Sequence, residues 1–242
     1  SISCLKYFKE VLEDIFSLAQ SFGSSRLYLL KCVQNSISIS YMNEMIGKWR
    51  TSIVIPEINS LNGVAVIGKK IYFCESYPVS NNEEEPWNLL RMFDCENNTL
   101  STVCQMPITG RFVCTAMTAL NGLLFVSGGF TDYKSSYPNL FQYSPDTNTW
   151  TELKQINEAR HFHKLVTLNG LIYAIGGLDN QTVECYNLTS DKWTYLASTH
   201  HTHFFFGATS HQNKIFVLSD NGFEVFHPEL NTWEDLPSLD IG

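Results

Sequence analysis

Short apolar runs punctuate the chain at nearly regular distances. Five of them share one pattern: Leu27-Tyr28-Leu29-Leu30, Ile71-Tyr72-Phe73-Cys74, Leu124-Phe125-Val126-Ser127, Ile172-Tyr173-Ala174-Ile175 and Ile215-Phe216-Val217-Leu218. Their starts lie 44, 53, 48 and 43 residues apart. Runs this short, rich in β-branched and aromatic residues and bounded by turn formers, predict strands.

Each run is followed by a further strand that carries an aromatic residue, then a turn, then usually a tryptophan. Tyr143 to Trp150, Tyr186 to Trp193 and Phe226 to Trp233 span seven residues each, and Phe93 to Leu100 and Met42 to Trp49 keep the interval. Turn formers such as Ser144-Pro145-Asp146-Thr147-Asn148 fill the gap, so these segments predict hairpins. Upstream, Asn121-Gly122 and Asn169-Gly170 suit a type I′ turn, whose two central residues need positive φ, and so predict another hairpin. Each repeat therefore holds four strands, and a repeated four-stranded unit of this length predicts a propeller blade. A lone small sheet has two apolar faces to bury, so blades must stack. Trp49, Trp150, Trp193 and Trp233 are expected between them as core.

Gly128-Gly129 and Gly176-Gly177 directly after the second strand, with the aromatic and tryptophan at fixed intervals, resemble kelch repeats. The resemblance covers residues 17–242 and implies an all-β, kelch-type β-propeller of about five to six four-stranded blades. The two repeats around Trp150 and Trp193 carry the full pattern, including Arg111 and Arg160 before the first strand. The other three are eroded: Lys31-Cys32, Glu75-Ser76 and Ser219-Asp220 stand at the glycine pair, and Leu100 replaces a tryptophan. Leu236 to Ile241 resembles the tail that seals such rings. Residues 1–16 stand apart as a lead-in, where Leu5, Phe8, Leu12 and Ile15 predict a short amphipathic N-terminal helix. That helix resembles the end of the helical domain preceding the propeller in BTB-Kelch proteins, and a capping helix is an equal alternative.

Composition narrows the function classes. The 24 acidic and 16 basic side chains give a formal charge of −8, and no Lys/Arg cluster tracks a phosphate backbone, which argues against nucleic acid. No apolar run approaches the ~20 residues of a bilayer span. Seven scattered cysteines without a CxxC pair suggest a reduced, cytoplasmic setting, with the sequons at Asn97, Asn180 and Asn187 read as chance.

Candidate chemistry is sparse. His161 and His163 alternate on one strand, and His200, His201 and His203 follow at the corresponding place one repeat later. No Cys or carboxylate sits beside them at ligand spacing, so they are expected to be ordinary loop histidines, with no metal or other cofactor. No nucleophile elbow, P-loop or HExxH motif appears, and a copper-oxidase ligand set cannot be assembled; no enzyme is expected. Glu83-Glu84-Glu85, beside Trp87, lies in a long loop and is expected to be a solvated insertion, the sharper alternative being a partner-contacting arm.

The resemblance instead implies a protein-binding module. In BTB-Kelch proteins the loops after the second strand and before the first strand form the partner face, often for an acidic segment. By position this implicates Phe130 and Leu178 after the glycine pairs, Tyr77 in the equivalent place, Arg111 and Arg160 before the first strands, His203 in the arginine's place in the last repeat, and the adjacent His161 and Phe204. Arg160 and Arg111 have the alternative role of bracing blades. The implied function is substrate recognition for a cullin-RING ubiquitin ligase, with the cullin contacted through a BTB domain absent from this chain and homodimerisation expected only in a full-length parent. A cytoskeletal scaffold and a viral kelch protein engaging host factors remain as alternatives.

Overall fold

The computed structural model describes residues 20–22, 26–33, 36–43, 48–56, 61–75, 88–108, 113–131, 135–203 and 206–237. The predicted helix and the lead-in at 1–16, the acidic loop and the sealing tail beyond Pro237 lie outside them. Among the described residues there is no helix, and the architecture is all-β.

The strands form five four-stranded sheets among the described residues. The first contains β1 (Gln20–Phe22), β2 (Arg26–Val33), β3 (Ser36–Asn43) and β4 (Lys48–Pro56). The second contains β5 (Leu61–Ile67), β6 (Lys70–Glu75), β7 (Leu89–Asp94) and β8 (Thr99–Gln105). The third is built from β9 (Ala116–Leu120) and β10 (Leu123–Ser127), then, after the small hairpin β11 (Phe130–Thr131) and β12 (Ser135–Ser136), from β13 (Leu140–Ser144) and β14 (Thr149–Glu152). The fourth runs β15 (Lys164–Leu168), β16 (Leu171–Ile175), β17 (Val183–Asn187) and β18 (Lys192–Leu196), and the fifth β19 (Gly207–His211), β20 (Lys214–Ser219), β21 (Gly222–His227) and β22 (Thr232–Leu236). Each sheet follows the chain order of its strands, and in the third β10 pairs β13 across the small hairpin β11–β12. The five apolar runs are β2, β6, β10, β16 and β20, the second strand of each sheet, as the repeat predicts.

By contact the chain divides into two compact units, residues 1–61 with 68–105 and residues 62–67 with 106–242. In the first unit the glycine pair is lost and an acid stands in its place. Arg91 Nη1 on β7 donates to Glu75 Oε2 at 2.8 Å, with the carboxylate side chain 1% exposed. Burial pushes the Glu75 carboxyl up, and the nearby guanidinium offsets this only in part.

The second unit explains the seven-residue interval. Tyr143↔Trp150, Tyr186↔Trp193 and Phe226↔Trp233 are directly opposed across their hairpins, with ring centroids 4.9, 5.1 and 5.0 Å apart. Asn148, Asp191 and Asn231 turn each chain through positive φ just before the tryptophan. Tyr143 Oη donates to Asn148 Oδ1 at 2.8 Å and Tyr186 Oη to Asp191 Oδ1 at 2.6 Å, so the aromatic that fills the core also locks its turn. Asn121-Gly122 and Asn169-Gly170 have the expected positive φ, and in the fifth sheet Gln212-Asn213 does the same without glycine.

Trp193 and Trp233 sit where stacking requires. Trp193 packs among Phe125, Leu140 and Ile156 of the preceding sheet and its crossover, and Trp233 among Val166, Tyr173, Val183 and Phe206. Each indole N–H, which would be costly to bury unpaired, donates to a crossover carbonyl at 2.9 Å, Trp193 to Lys154 and Trp233 to Ala197.

Candidate partner-binding face

The adjacent glycines are required by close approach. Gly128 and Gly129 have φ +62 and +99, and Gly176 and Gly177 have +58 and +127. A Cβ on Gly128 would meet Arg160 O at 2.4 Å, and one on Gly177 would meet His161 O at 2.8 Å. The backbone uses this proximity: Gly129 N donates to Arg160 O, Leu178 N to His161 O and Gly177 N to His203 O. The loop after β10 is thus bonded to the loop before β15, and the loop after β16 to the loops before β15 and β19, so that these loops form one surface.

On that surface Phe130 is 6% exposed and acts as a floor. His161 lies on it at 4.7 Å between centroids, and Phe162, held at φ +56, packs on both rings. His161 Nδ1 is 2.7 Å from Ser136 Oγ of the small hairpin. Burial lowers the His161 pKa, with Asp179 opposing, which favours the neutral ring. Beside this cluster Leu178 is 41% exposed and Tyr137, bridged to Arg160 through the backbone, is 39% exposed. Phe162 and Tyr137 are the members that sequence reasoning missed. The arginine signature marked the loop, but nothing local showed that the residue two places after Arg160 takes a positive φ and packs on Phe130 and His161.

Two candidates are placed differently from the expectation. The Arg160 side chain is 0% exposed and engaged within its own sheet. Its Nη1 donates to Gly176 O and Thr182 O, and its Nη2 to Thr182 Oγ1 and, at 2.6 Å, to Glu184 Oε1. Glu184 also accepts from the backbone N–H groups of Asn157 and Glu158 and from Asn157 Nδ2. His203 stands at the equivalent place in the fifth sheet and is also 0% exposed, with Nε2 2.7 Å from Glu224 Oε1 and Nδ1 2.7 Å from Ser219 Oγ. Both side chains brace the loop from inside, where a partner's carboxylate does not reach, because each has a buried glutamate of its own. Arg111, Phe204 and Tyr77 lie outside the described residues.

A second histidine packs beneath the same loops. His163 is 2% exposed, its Nε2 is 2.8 Å from Ser127 Oγ, and burial together with Arg160, Lys164 and His161 holds its pKa well below the usual imidazole value.

Comparison with known proteins agrees with this architecture. The Kelch motif matches residues 111–155 and 159–199, the third and fourth sheets. The chain is 27% identical over 206 residues to human kelch-like protein 15, covering 71% of this chain and 33% of that protein. It is 32% identical over 188 residues to zebrafish kelch-like protein 41a, covering 72% and 31%. It thus spans about a third of the length of these curated relatives. Among solved structures, that of YjhT aligns with TM-score 0.61 at 14% identity, over 77% of this chain and 68% of the other. By its repeats, its relatives and its fold, the chain is a kelch-repeat β-propeller, a protein-interaction module.

Proposed function

We propose that the loop surface around Phe130, His161, Phe162, Leu178 and Tyr137 docks a segment of a partner protein through apolar contacts. The observation that carries this reading is an exposed Leu178 and Tyr137 over an aromatic floor, on loops whose backbone is fixed by glycine contacts and buried braces. A preformed surface loses little entropy on binding, and aromatic and aliphatic anchors in such settings dominate binding energy. With Arg160 and His203 engaged internally and His161 favoured as neutral, the partner segment is apolar at its centre.

The larger role is proposed from the likeness to kelch-like proteins, of whose length this chain spans about a third. In this reading the chain is the substrate-recognition end of a cytoplasmic ubiquitin ligase adaptor, with a cullin engaged elsewhere in the parent protein and no catalysis by the propeller itself. The test is to capture partners with the chain from cells and to follow their abundance when the parent is expressed with and without a neddylation inhibitor. A captured partner that is depleted by the parent and restored by the inhibitor supports the adaptor role. Partners whose abundance ignores both, such as actin filaments, overturn it and leave a scaffold.

A further inference from the structure

The fourth and fifth sheets repeat one polar node with different chemistry. In the fourth sheet the buried Glu184 is opposite Tyr195 across β17 and β18, and it binds the crossover at Asn157, Glu158 and Arg160. Tyr195 also hydrogen-bonds to Glu158, whose carboxyl is held low first by Thr182 and further by Asn180 and Arg160. A fixed guanidinium thus balances the acids. In the fifth sheet the equivalent glutamate is Glu224, 0% exposed, and its crossover partners are His200, His201 and His203. Its cross-strand neighbour is Asp235.

Two carboxylates directly opposed on one face repel each other unless a cation lies between them. Among the described residues the ion-pair partners of Glu224 and Asp235 are histidines. His200 Nδ1 is 3.2 Å from Asp235 Oδ2 and 3.9 Å from Glu224 Oε2, and one ligand atom from each of the three residues lies within 4.8 Å of the others. Such separations suit an ion with bonds of ~2.0–2.2 Å to imidazole and carboxylate. His201 Nε2 is 3.2 Å from the other Asp235 oxygen, Oδ1. Its ring lies over Gly222, where a Cβ would stand 2.8 Å from the ring carbon Cδ2. The loop is pinned as well: Gln181 Nε2 donates to His200 O, Thr199 Oγ1 to His201 O, and the His200 and His201 N–H groups donate to Glu224.

We propose that His200, Asp235 and Glu224 form a binding site for a borderline divalent transition-metal ion such as Zn2+, with His201 orienting Asp235 and solvent completing the coordination. The mixed imidazole and carboxylate donors favour Zn2+ over Mg2+ or Ca2+, which prefer all-oxygen shells. The carboxylates that the sequence lacks beside the histidines arrive from β21 and β22.

The test is calorimetric titration of Zn2+ into metal-free protein at neutral pH, with Asp235→Asn, His200→Gln and His201→Gln as variants. Asp235 and His200 are 57% and 46% exposed, so these changes leave the core intact, and unchanged melting without metal checks this. His227→Gln, at a ring paired with Glu234, serves as control. The expected result is one Zn2+ per chain, binding weakened by more than about tenfold in the Asp235 and His200 variants, a smaller loss in His201→Gln, as for outer-sphere partners, and none in the control. Excess Mg2+ or Ca2+ should not displace the ion. Zinc uptake that is absent, or equal in the wild type and Asp235→Asn, overturns the proposal.

Discussion

At the scale of single residues, the decisive fact is that Arg160 and His203 carry buried glutamates. Removing one member of a buried pair leaves the other charge uncompensated, so Arg160→Met should cost about 3–5 kcal/mol in urea unfolding. Replacing Glu184 by Leu as well should not restore stability, because Asn157 and Glu158 would lose the acceptor of their N–H groups. A double variant as stable as the wild type would show that the pair is dispensable. His163 gives a pH signature. An unfolded imidazole titrates near ~6.5, and the folded group is held well below that, so the folded state resists protonation. Stability from this burial is complete above pH ~6.5 and declines as pH falls below it. Unfolding free energy measured between pH 7.5 and 5 should fall less steeply in His163→Gln; an unchanged slope would show that the ring is not kept neutral.

At the scale of elements, local rules carried the reading far. The second strands, the Asn-Gly turns and the aromatic-to-tryptophan hairpins were legible because each is specified by residues within one hairpin. The positions of Trp193 and Trp233 followed from stacking. The braces were not legible, because Glu184 lies on β17, two strands beyond the arginine it holds, and arginine before a first strand suits a surface anchor equally well. The metal-site carboxylates escaped for the same reason: Asp235 and Glu224 are distant in sequence from His200 and aligned only by the repeat. A clue was present, since His200, His201 and His203 replace Asn157, Glu158 and Arg160 while Asp235 replaces Tyr195. The glycines separate two kinds of constraint. Gly170 has φ +77 and open space around its missing Cβ, so Gly170→Ala should cost only the left-handed strain of about 1–2 kcal/mol. Gly177→Ala adds a 2.8 Å approach to His161 O and should destabilise more. Equal losses in thermal melting of the two variants would mean that the loop yields freely.

At the scale of the molecule, the blades of the second unit join stiff sheets to loops that are tied to one another, and the surface those loops present is apolar at its centre. The most direct measurement takes a partner captured by the wild-type chain and compares its affinity for Leu178→Asp, Tyr137→Asp and Arg160→Met, with melting temperature read alongside. The account predicts that the two surface variants weaken binding by about 2 kcal/mol or more, the scale of hot-spot residues, at unchanged melting temperature, whereas Arg160→Met lowers the melting temperature first. Full binding by the folded Leu178→Asp and Tyr137→Asp variants would contradict it and place the partner on another surface.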